Sequence, residues 1–360
     1  MMEKIKVGLV FGGESSEFEV SVNSAQNIYH AIDQAKYEVY PLGFTQDGYL
    51  ASPSESSKLL EDASYQVVRG ETVPNLNHLI ELQNYPALDI FLPIIHGNIG
   101  EDGAIQGLFR VLGVPFVGSD VLGAAATMDK DLSKILAERI GLKVAKWLTI
   151  KRPQYEDQIA EFVDYEQVAA KLGRKVFVKP ANQGSSVGIA PAQDATEYAA
   201  ALADAFRYDD KVLVEEAINA IEVETAVLGN DRPIVSGVGQ IINAADEFYT
   251  YENKYEENST STLQIPAAIP AETASQIRAQ ALAIYQKIEV FGLARVDFMI
   301  KRETGEIIFN EINAIPGFTN ISMYPKLFEQ AGIHYPELID QLIQFGLERY
   351  RHLQELSHHI

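Results

Sequence analysis

The sequence contains no cysteine, and this absence excludes several kinds of site at once. Without thiols the chain has no disulfide scaffold, no thiolate zinc site, no iron–sulfur cluster and no cysteine nucleophile. Long apolar runs are missing too: residues 90–95 fall far short of the roughly 18 that a membrane-spanning helix needs. The run 7–11, after two lysines, is also too short for a secretory leader. We therefore expect a soluble, cytoplasmic protein with no membrane partner.

Positive charge is scarce as well. The chain has 29 Lys and Arg against 50 Asp and Glu, a net charge of −21. A chain this acidic is not expected to hold a phosphate backbone by bulk electrostatics, so we expect no nucleic-acid partner. Its 360 residues, 47% hydrophobic and 22% charged, are typical of a globular protein. At about 150 residues per domain, this length predicts two or three domains.

The first third of the chain alternates between strand-like and helix-like patterns. Apolar runs predict strands over 5–11, 37–44, 88–95 and 114–117, and helices over 21–35 and 104–112. Such units predict a parallel sheet that is covered on both faces. Ligands of these sheets bind beyond the carboxyl ends of the strands, which here carry the loops 12–19 and 96–103.

The pattern changes after residue 129. Helices are predicted over 129–140, 197–206, 271–288 and 335–351, and strands over 147–150, 176–180, 212–216, 225–228, 234–238, 296–300 and 307–312. Strands grouped with helices on one side predict an α+β architecture. Residues 243–264 are polar and aromatic without a period, and a stretch of that length is usually functional or disordered.

A glycine- and serine-rich loop follows the strand that carries Lys179. In Gly184-Ser185-Ser186-Val187-Gly188, backbone N–H groups could surround phosphate oxygens, with Lys179 as a nearby positive charge. The loop lacks the Gly-Lys-Ser/Thr ending of a P-loop and does not match GxGxxG. A flexible turn between strands is an equally good interpretation of this loop alone.

Three oxygen-bearing side chains lie near the carboxyl-terminal strands. Glu311 and Asn313 are two residues apart and project to one face, and Asp297 lies opposite them if the strands form a hairpin. Such hard ligands suit Mg²⁺, although a solvated sheet face is the commoner outcome. Arg295 and the turn at Gly317 could stabilise an oxyanion. The alternative for Arg295 is a structural salt bridge with a carboxylate.

His96 ends an apolar strand, and a lone histidine is more often a hydrogen-bonded structural residue than a catalyst. The sequence contains no HExxH motif, and no Ser/His/Asp set can be identified in it.

Taken together, the motifs resemble those of D-alanine–D-alanine ligases. The similar stretches run in the same order over residues 5 to 345: they are 12–21, 96–103, 117–119 with 128–130, 179–188, 249–255 and 310–317. The resemblance implies an ATP-grasp fold, in which a parallel α/β domain (1–125) precedes two α+β subdomains (126–217 and 218–360) that clamp ATP. Residues 243–264 would then form a lid loop.

The activity implied is the ATP-dependent ligation of two D-alanines to D-alanyl-D-alanine for peptidoglycan precursors. It proceeds through an acyl phosphate and yields ADP and phosphate. Such chemistry needs neutralised phosphate charge, two positioned zwitterions and exclusion of water. The resemblance also implies two Mg²⁺ or Mn²⁺ ions and a homodimer.

The resemblance assigns roles residue by residue. Glu17 would hold the first ammonium and form a lid-closing triad with Ser185 and Tyr255, while Arg295 and the Gly317 N–H would form the oxyanion hole. The second carboxylate would bind Lys254 and Ser322, with His96 beside the substrates. Asp297, Glu311 and Asn313 would hold the metals, Glu311 bridging them. The implied ATP contacts are Lys130, Lys179, Ser186, Glu215, Glu216, Ile218 and Glu222. Ala314 departs from the Thr that the family usually has.

Three alternatives stay open at this stage. A D-alanine–D-lactate ligase is the nearest, but relatives of that kind carry Phe where this chain has Tyr255. Another carboxylate–amine ATP-grasp ligase would share the metal ligands but need not carry the Glu17 loop. A regulatory nucleotide-binding protein without catalysis is disfavoured because the lysines, Arg295 and all three metal ligands are retained.

Overall fold

In the computed structural model of the chain, the structure describes residues 3–67, 77–152, 164–242 and 262–356. Within these ranges the strands form three separate sheets. Most of the predicted lid loop, residues 243–261, lies outside the described residues, and only its last three residues belong to a described strand. No helix in the described ranges is both long and apolar enough to cross a membrane.

The first sheet is parallel, as predicted. Its strands are β1 (Ile5–Gly12), β2 (Tyr37–Phe44) and β3 (Ile90–Pro93), in the order β2-β1-β3, and its helices are α1 (Phe18–Ala31), α2 (Pro53–Glu61) and α3 (Ala104–Leu112), with a 3-10 helix at Asn77–Asn84. The predicted strand 114–117 is wrong. Only Phe116 pairs there, in an isolated bridge to Phe91. The preceding Pro115 has no N–H to extend a ladder.

Two helices, α4 (Val121–Met128) and α5 (Lys130–Arg139), lead into the second sheet. Its strands are β4 (Trp147–Lys151), β5 (Val176–Pro180), β6 (Ala190–Ala192) and β7 (Lys211–Glu216), and its helices are α6 (Tyr165–Leu172) and α7 (Ala195–Ala205). The strands are antiparallel in the order β4-β7-β5-β6. The loop 181–189 between β5 and β6 is the glycine- and serine-rich one.

The third sheet is antiparallel and has five strands. They are β8 (Ala220–Gly229), β9 (Ile234–Ile242), β10 (Thr262–Gln264), β11 (Gly292–Lys301) and β12 (Ile307–Asn313), in the order β10-β9-β8-β11-β12. Its helices are α8 (Ala271–Ile288), α9 (Met323–Gln330) and α10 (Tyr335–Gln354). The sheet lies between two cores, one lined by α8 and the other shared with the first sheet.

The hydrophobic cores show which parts of the chain pack together. Leu338 and Leu342 of α10 share one core with Val7 and Leu9 of β1, so α10 packs against the first sheet. The second sheet has a core of its own, between its strands and α6 and α7. Loops from all three sheets meet between these bodies, where Lys130 contacts Gln183 and approaches Glu311, and Ser185 contacts Glu17.

Candidate active site

Glu17 and Ser185 come together although they are far apart in sequence. Glu17 precedes α1 and is buried, and its backbone N–H donates to Ser15 Oγ at 3.1 Å. The Ser185 hydroxyl donates a hydrogen bond to the Glu17 carboxylate, which ties the β5–β6 loop to the first domain. A Cβ atom on Gly184 would collide with Glu17 Oε2, so a larger residue at this position would displace that carboxylate.

The backbone of the β5–β6 loop is strained at the same place. Ser185 and Ser186 both lie in the left-handed region, with φ angles of 47° and 62°. This region costs a non-glycine residue about 1–2 kcal/mol, so two in succession persist only where surrounding contacts hold them. The bond from Ser185 to Glu17 is one such contact.

Lys130 connects this loop with the third sheet. Its side chain extends from the first turn of α5 and is almost completely buried. Nζ donates to the backbone oxygen of Gln183 at 2.5 Å and lies 3.8 Å from Glu311 Oε2. One ammonium group therefore links the glycine- and serine-rich loop to Glu311, the single carboxylate of β12.

A second group of charges, here called the two-lysine cluster, consists of Lys134, Lys179 and Glu215. Nζ of Lys179 lies 2.6 Å from Glu215 Oε2, and Nζ of Lys134 lies 3.1 Å from Oε1. Burial alone would raise the pKa of Glu215, but the two lysines outweigh it and lower that pKa to about 2. Glu215 is therefore a carboxylate at neutral pH, and the cluster carries a net positive charge.

Sequence reasoning missed Lys134. The signal was present, because Lys130 and Lys134 are four residues apart in a predicted helix and therefore lie on one face. Without knowledge of the fold, however, an isolated lysine in an exposed-looking helix carries no indication of its partner.

A third group, here called the arginine cluster, consists of Arg295, Asp297, Glu224, Glu311 and Asn313. Arg295 forms a bidentate pair with Asp297 at 2.8 and 2.7 Å, and its Nε lies 3.1 Å from Glu224 Oε2. Burial would lower the pKa of Arg295, but Asp297 and Glu224 raise it well above the usual value. The salt bridge considered from sequence is therefore present.

Register explains how the arginine cluster assembles. Strands β11 and β12 are antiparallel neighbours, Asp297 faces Glu311, and Arg295 faces Asn313, which confirms the predicted hairpin. On the other side Asp297 pairs with Glu224 of β8. Glu224 was missed from sequence because its strand could not be placed beside β11 without the fold.

The donor set of this cluster fits a hard cation. Asp297, Glu311 and Asn313 offer two carboxylates and one amide oxygen, the ligand types that Mg²⁺ prefers. The Asn313 amide donates to Asp297 Oδ2 at 3.1 Å, which orients the amide oxygen. Among the described residues no group of three or more His, Asp or Glu side chains is arranged to hold a metal ion.

His96 is buried between the first and third domains. Nδ1 lies 3.0 Å from the Ile315 backbone oxygen and Nε2 lies 3.2 Å from Ser24 Oγ. A carbonyl can only accept, so the proton is assigned to Nδ1, and the Ser24 hydroxyl donates to Nε2. Burial lowers the pKa of His96 and keeps the ring neutral. Both ring nitrogens therefore contact protein groups.

Glu101 is a further buried carboxylate that the sequence did not single out. It accepts hydrogen bonds from the backbone N–H groups of Gly97 at 2.9 Å and Ile315 at 3.1 Å. Burial, reinforced by the charge of Glu17, raises the pKa of Glu101 to about 8. Like His96, it fastens the loop 96–103 to the segment after β12.

That segment also contains the predicted oxyanion and carboxylate-binding positions. Ser322 precedes α9, and its Oγ accepts from the Thr319 N–H at 3.0 Å. A Cβ atom on Gly317 would lie 2.8 Å from Ser322 Oγ, so the two positions are neighbours. Ala314 is buried.

The remaining predicted residues lie at the end of β7, just after it or in β8, or are outside the described residues. The Glu216 carboxylate accepts from the Lys146 N–H at 2.9 Å, Ile218 is half-buried just after β7, and Glu222 is in β8 opposite Met299. Lys254 and Tyr255 lie outside the described residues.

Comparisons with known proteins agree with one another. Residues 6–119 match the family model of the D-ala D-ala ligase N-terminus and residues 136–344 that of the C-terminus. The D-alanine–D-alanine ligase of Lactobacillus delbrueckii subsp. bulgaricus is 59% identical over 359 residues, which is 99% of both chains.

Solved structures give the same result. The D-alanine–D-alanine ligase of Coxiella burnetii has a TM-score of 0.79, 33% identity and 98% coverage of both chains. The Bacillus anthracis ligase in complex with ATP has a TM-score of 0.72 and 26% identity, covering 97% of this chain and 99% of its own.

Proposed function

This chain belongs to the D-alanine–D-alanine ligase family, and from that membership we propose that it joins two D-alanines to D-alanyl-D-alanine, converting ATP to ADP and phosphate for peptidoglycan precursors. The observation that carries the proposal is the position of Lys130. Its ammonium touches the β5–β6 loop and approaches Glu311, so a phosphate-binding loop and oxygen ligands for a metal share one site.

In the first step, a carboxylate oxygen of one D-alanine attacks the γ-phosphorus of ATP. The bond to the bridging oxygen breaks, ADP leaves and an acyl phosphate forms. Lys130 and Lys179 neutralise phosphate charge, and the other proposed ATP contacts are Ser186, Glu215, Glu216, Ile218 and Glu222. Asp297, Glu311 and Asn313 would hold two Mg²⁺ or Mn²⁺ ions, which supply further charge neutralisation at the phosphates.

In the second step, the neutral amine of the other D-alanine attacks the acyl carbonyl and forms the C–N bond. The tetrahedral intermediate then breaks its C–O bond to phosphate, and the proton lost from nitrogen leaves with the phosphate as hydrogen phosphate. Arg295 and the Gly317 N–H would donate to the oxyanion. A guanidinium has five N–H donors, so Arg295 can keep its bidentate pair with Asp297 and still donate elsewhere.

The substrates would be held at the junction of the first and third domains. Glu17 would take the first ammonium and, with Ser185 and Tyr255, close the lid. Lys254 and Ser322 would bind the second carboxylate. His96 would lie beside the substrates, and its contacts to Ser24 and Ile315 would keep that wall in place.

The proposal includes a domain division of 1–125, 126–217 and 218–360, a cytoplasmic location and a homodimer. Each of the three proposed domains contains one of the three sheets. The homodimer is supported by exposed apolar side chains at the ends of α3 and α4, namely Val111, Leu112 and Leu122. An ion pair between Arg110 and Asp120, 3.2 Å long, holds these two ends together.

The test is ADP release with ATP and Mg²⁺, measured with and without D-alanine, with the product identified by chromatography. We expect release that depends on D-alanine, with D-alanyl-D-alanine as product. D-lactate is offered in competition, and a predominance of the depsipeptide would contradict the dipeptide assignment. Nucleotide binding without turnover would instead indicate a regulatory protein.

A further inference from the structure

Lys134 is the most deeply buried cation of the two-lysine cluster, and no step of the proposed reaction uses it. Its side chain is 1% exposed, against 13% for that of Lys179. Burial lowers the pKa of Lys134, while Glu215 opposes that effect. Placing a second lysine in such an interior carries a desolvation penalty, so one carboxylate with two buried lysines needs a reason.

The two lysines do not contact Glu215 equally well. Lys179 lies 2.6 Å from Oε2. Lys134 lies 3.1 Å from Oε1, yet neither of these two atoms makes a well-aligned hydrogen bond to any described residue. The ion pair of Lys134 and Oε1 is therefore the longer and less well aligned of the two, although the charge of Lys134 still lowers the pKa of Glu215.

An ammonium group has three N–H donors, so every donor that Lys179 keeps on Glu215 is one that it cannot give to a triphosphate. If it turns toward the phosphates of ATP, Glu215 loses its shorter ion pair. A buried carboxylate without a partner is strongly destabilising. A second cation that stays in place removes this cost.

We infer that Lys134 is a positioning residue that keeps Glu215 paired while ATP draws Lys179 toward its phosphates. The inference rests on the proposed function, since it takes ATP as the ligand. Without Lys134, Lys179 would have to remain with Glu215, and the phosphates would lose a cation. The loss should therefore depend on the phosphates and not on the nucleoside.

The experiment measures nucleotide affinity of the full chain by calorimetry in the presence of Mg²⁺. Lys134→Met, a neutral side chain of similar length, is titrated with a non-hydrolysable ATP analogue and with adenosine. We expect affinity for the ATP analogue to fall by about tenfold or more, because Lys179 stays with Glu215 and the phosphates lose its charge-assisted hydrogen bond. In this variant Lys179 remains with Glu215 and keeps it in place, so affinity for adenosine should be unchanged.

Two further variants complete the design. Lys143→Met is the matched control, because Lys143 is an exposed lysine paired with Glu306 close to α5, and it should bind both ligands like the wild type. Lys134→Gln keeps a hydrogen-bond donor for Glu215 without the charge. Lys134→Gln replaces Lys134→Met in the experiment if the methionine variant does not fold. It should also lose affinity for the ATP analogue and keep its affinity for adenosine.

An equal loss of affinity for the ATP analogue and for adenosine would assign Lys134 a merely structural role and overturn the inference. Unchanged affinity for both ligands would overturn it as well. Failure of the proposed function shows differently. A wild-type chain that binds the ATP analogue but releases no ADP with D-alanine would overturn the ligase proposal, while the comparison of binding affinities would still decide the role of Lys134.

Discussion

The two-lysine cluster has more basic than acidic side chains, whereas the arginine cluster has more acidic than basic ones. In the first, two ammonium groups surround the single carboxylate of Glu215. In the second, the single guanidinium of Arg295 lies among the carboxylates of Asp297, Glu224 and the neighbouring Glu311. Excess positive charge suits an anionic ligand, and excess negative charge suits a cation.

This difference in charge predicts that the two clusters have different roles in the reaction. The cluster next to the second sheet should act mainly in nucleotide binding, which appears in KM for ATP. The cluster on the third sheet should act mainly on the reacting groups, which appears in kcat. Substitutions in the two clusters can therefore test this assignment of KM effects to one cluster and kcat effects to the other.

The largest effect is expected for Glu311→Gln. A neutral amide could not take over the role proposed for Glu311, in which its carboxylate would hold both cations, so kcat should fall by more than the ~10²–10³ that loss of a single preorganised donor costs. The fold should survive, because Glu311 is only partly buried. Circular dichroism checks the fold, and near-normal turnover at millimolar Mg²⁺ would remove Glu311 from the metal site.

Arg295→Met should follow, with kcat lower by about 10²–10³. The buried carboxylates of Asp297 and Glu224 lose their cation, so thermal stability should also fall. Steady-state kinetics at saturating ATP separate the two effects. If only KM for ATP changes, Arg295 is a binding residue and the division between the clusters is wrong.

Lys179→Met tests the other cluster. Glu215 keeps Lys134 as a partner, so the fold should persist, while KM for ATP should rise by about tenfold or more. The change in kcat should be smaller. Lys211→Met is a suitable control, since Lys211 is a partly exposed lysine of the same sheet that pairs with Asp129 and Asp131. A kcat effect as large as that of Arg295→Met would contradict the comparison.

The smallest effect on turnover is expected for Gly184→Ala, which touches neither cluster directly. The new methyl group displaces the Glu17 carboxylate, so KM for D-alanine should rise by several-fold while KM for ATP stays near the wild-type value. Gly107→Ala is the control, because its methyl group would meet little within 4 Å in α3. An unchanged KM for D-alanine would argue against the role of Glu17.

Sequence patterns predicted local features well and long-range partners less well. The bounds of β2, β5, α3 and α8 agree with the predictions because each has a clear period and end signals. Helix α4 was missed because it is apolar nearly all round, and α9 because Pro325 stands near its start. The closeness of Glu311 and Asp297 could be predicted from the sequence, because a hairpin of the two strands places these residues opposite each other.

Contacts between residues far apart in sequence could not be predicted in this way, because only the complete fold brings them together. Lys134 and Glu215 lie 81 positions apart, and Glu224 and Arg295 lie 71 apart. Single-residue periodicity contains no information about such contacts. The roles of Lys254 and Tyr255 stay predictions, since they lie outside the described residues.

The packing of α10 has a consequence for the way the chain folds. Residues near 340 complete the core around β1, and Lys36 reaches Asp340 at 3.0 Å across 304 positions. The first domain therefore cannot finish its core on the ribosome until nearly the whole chain has been synthesised. The second domain, whose core is local, can fold earlier. A nascent chain of this protein should thus acquire protease resistance in its middle before it does so at its beginning.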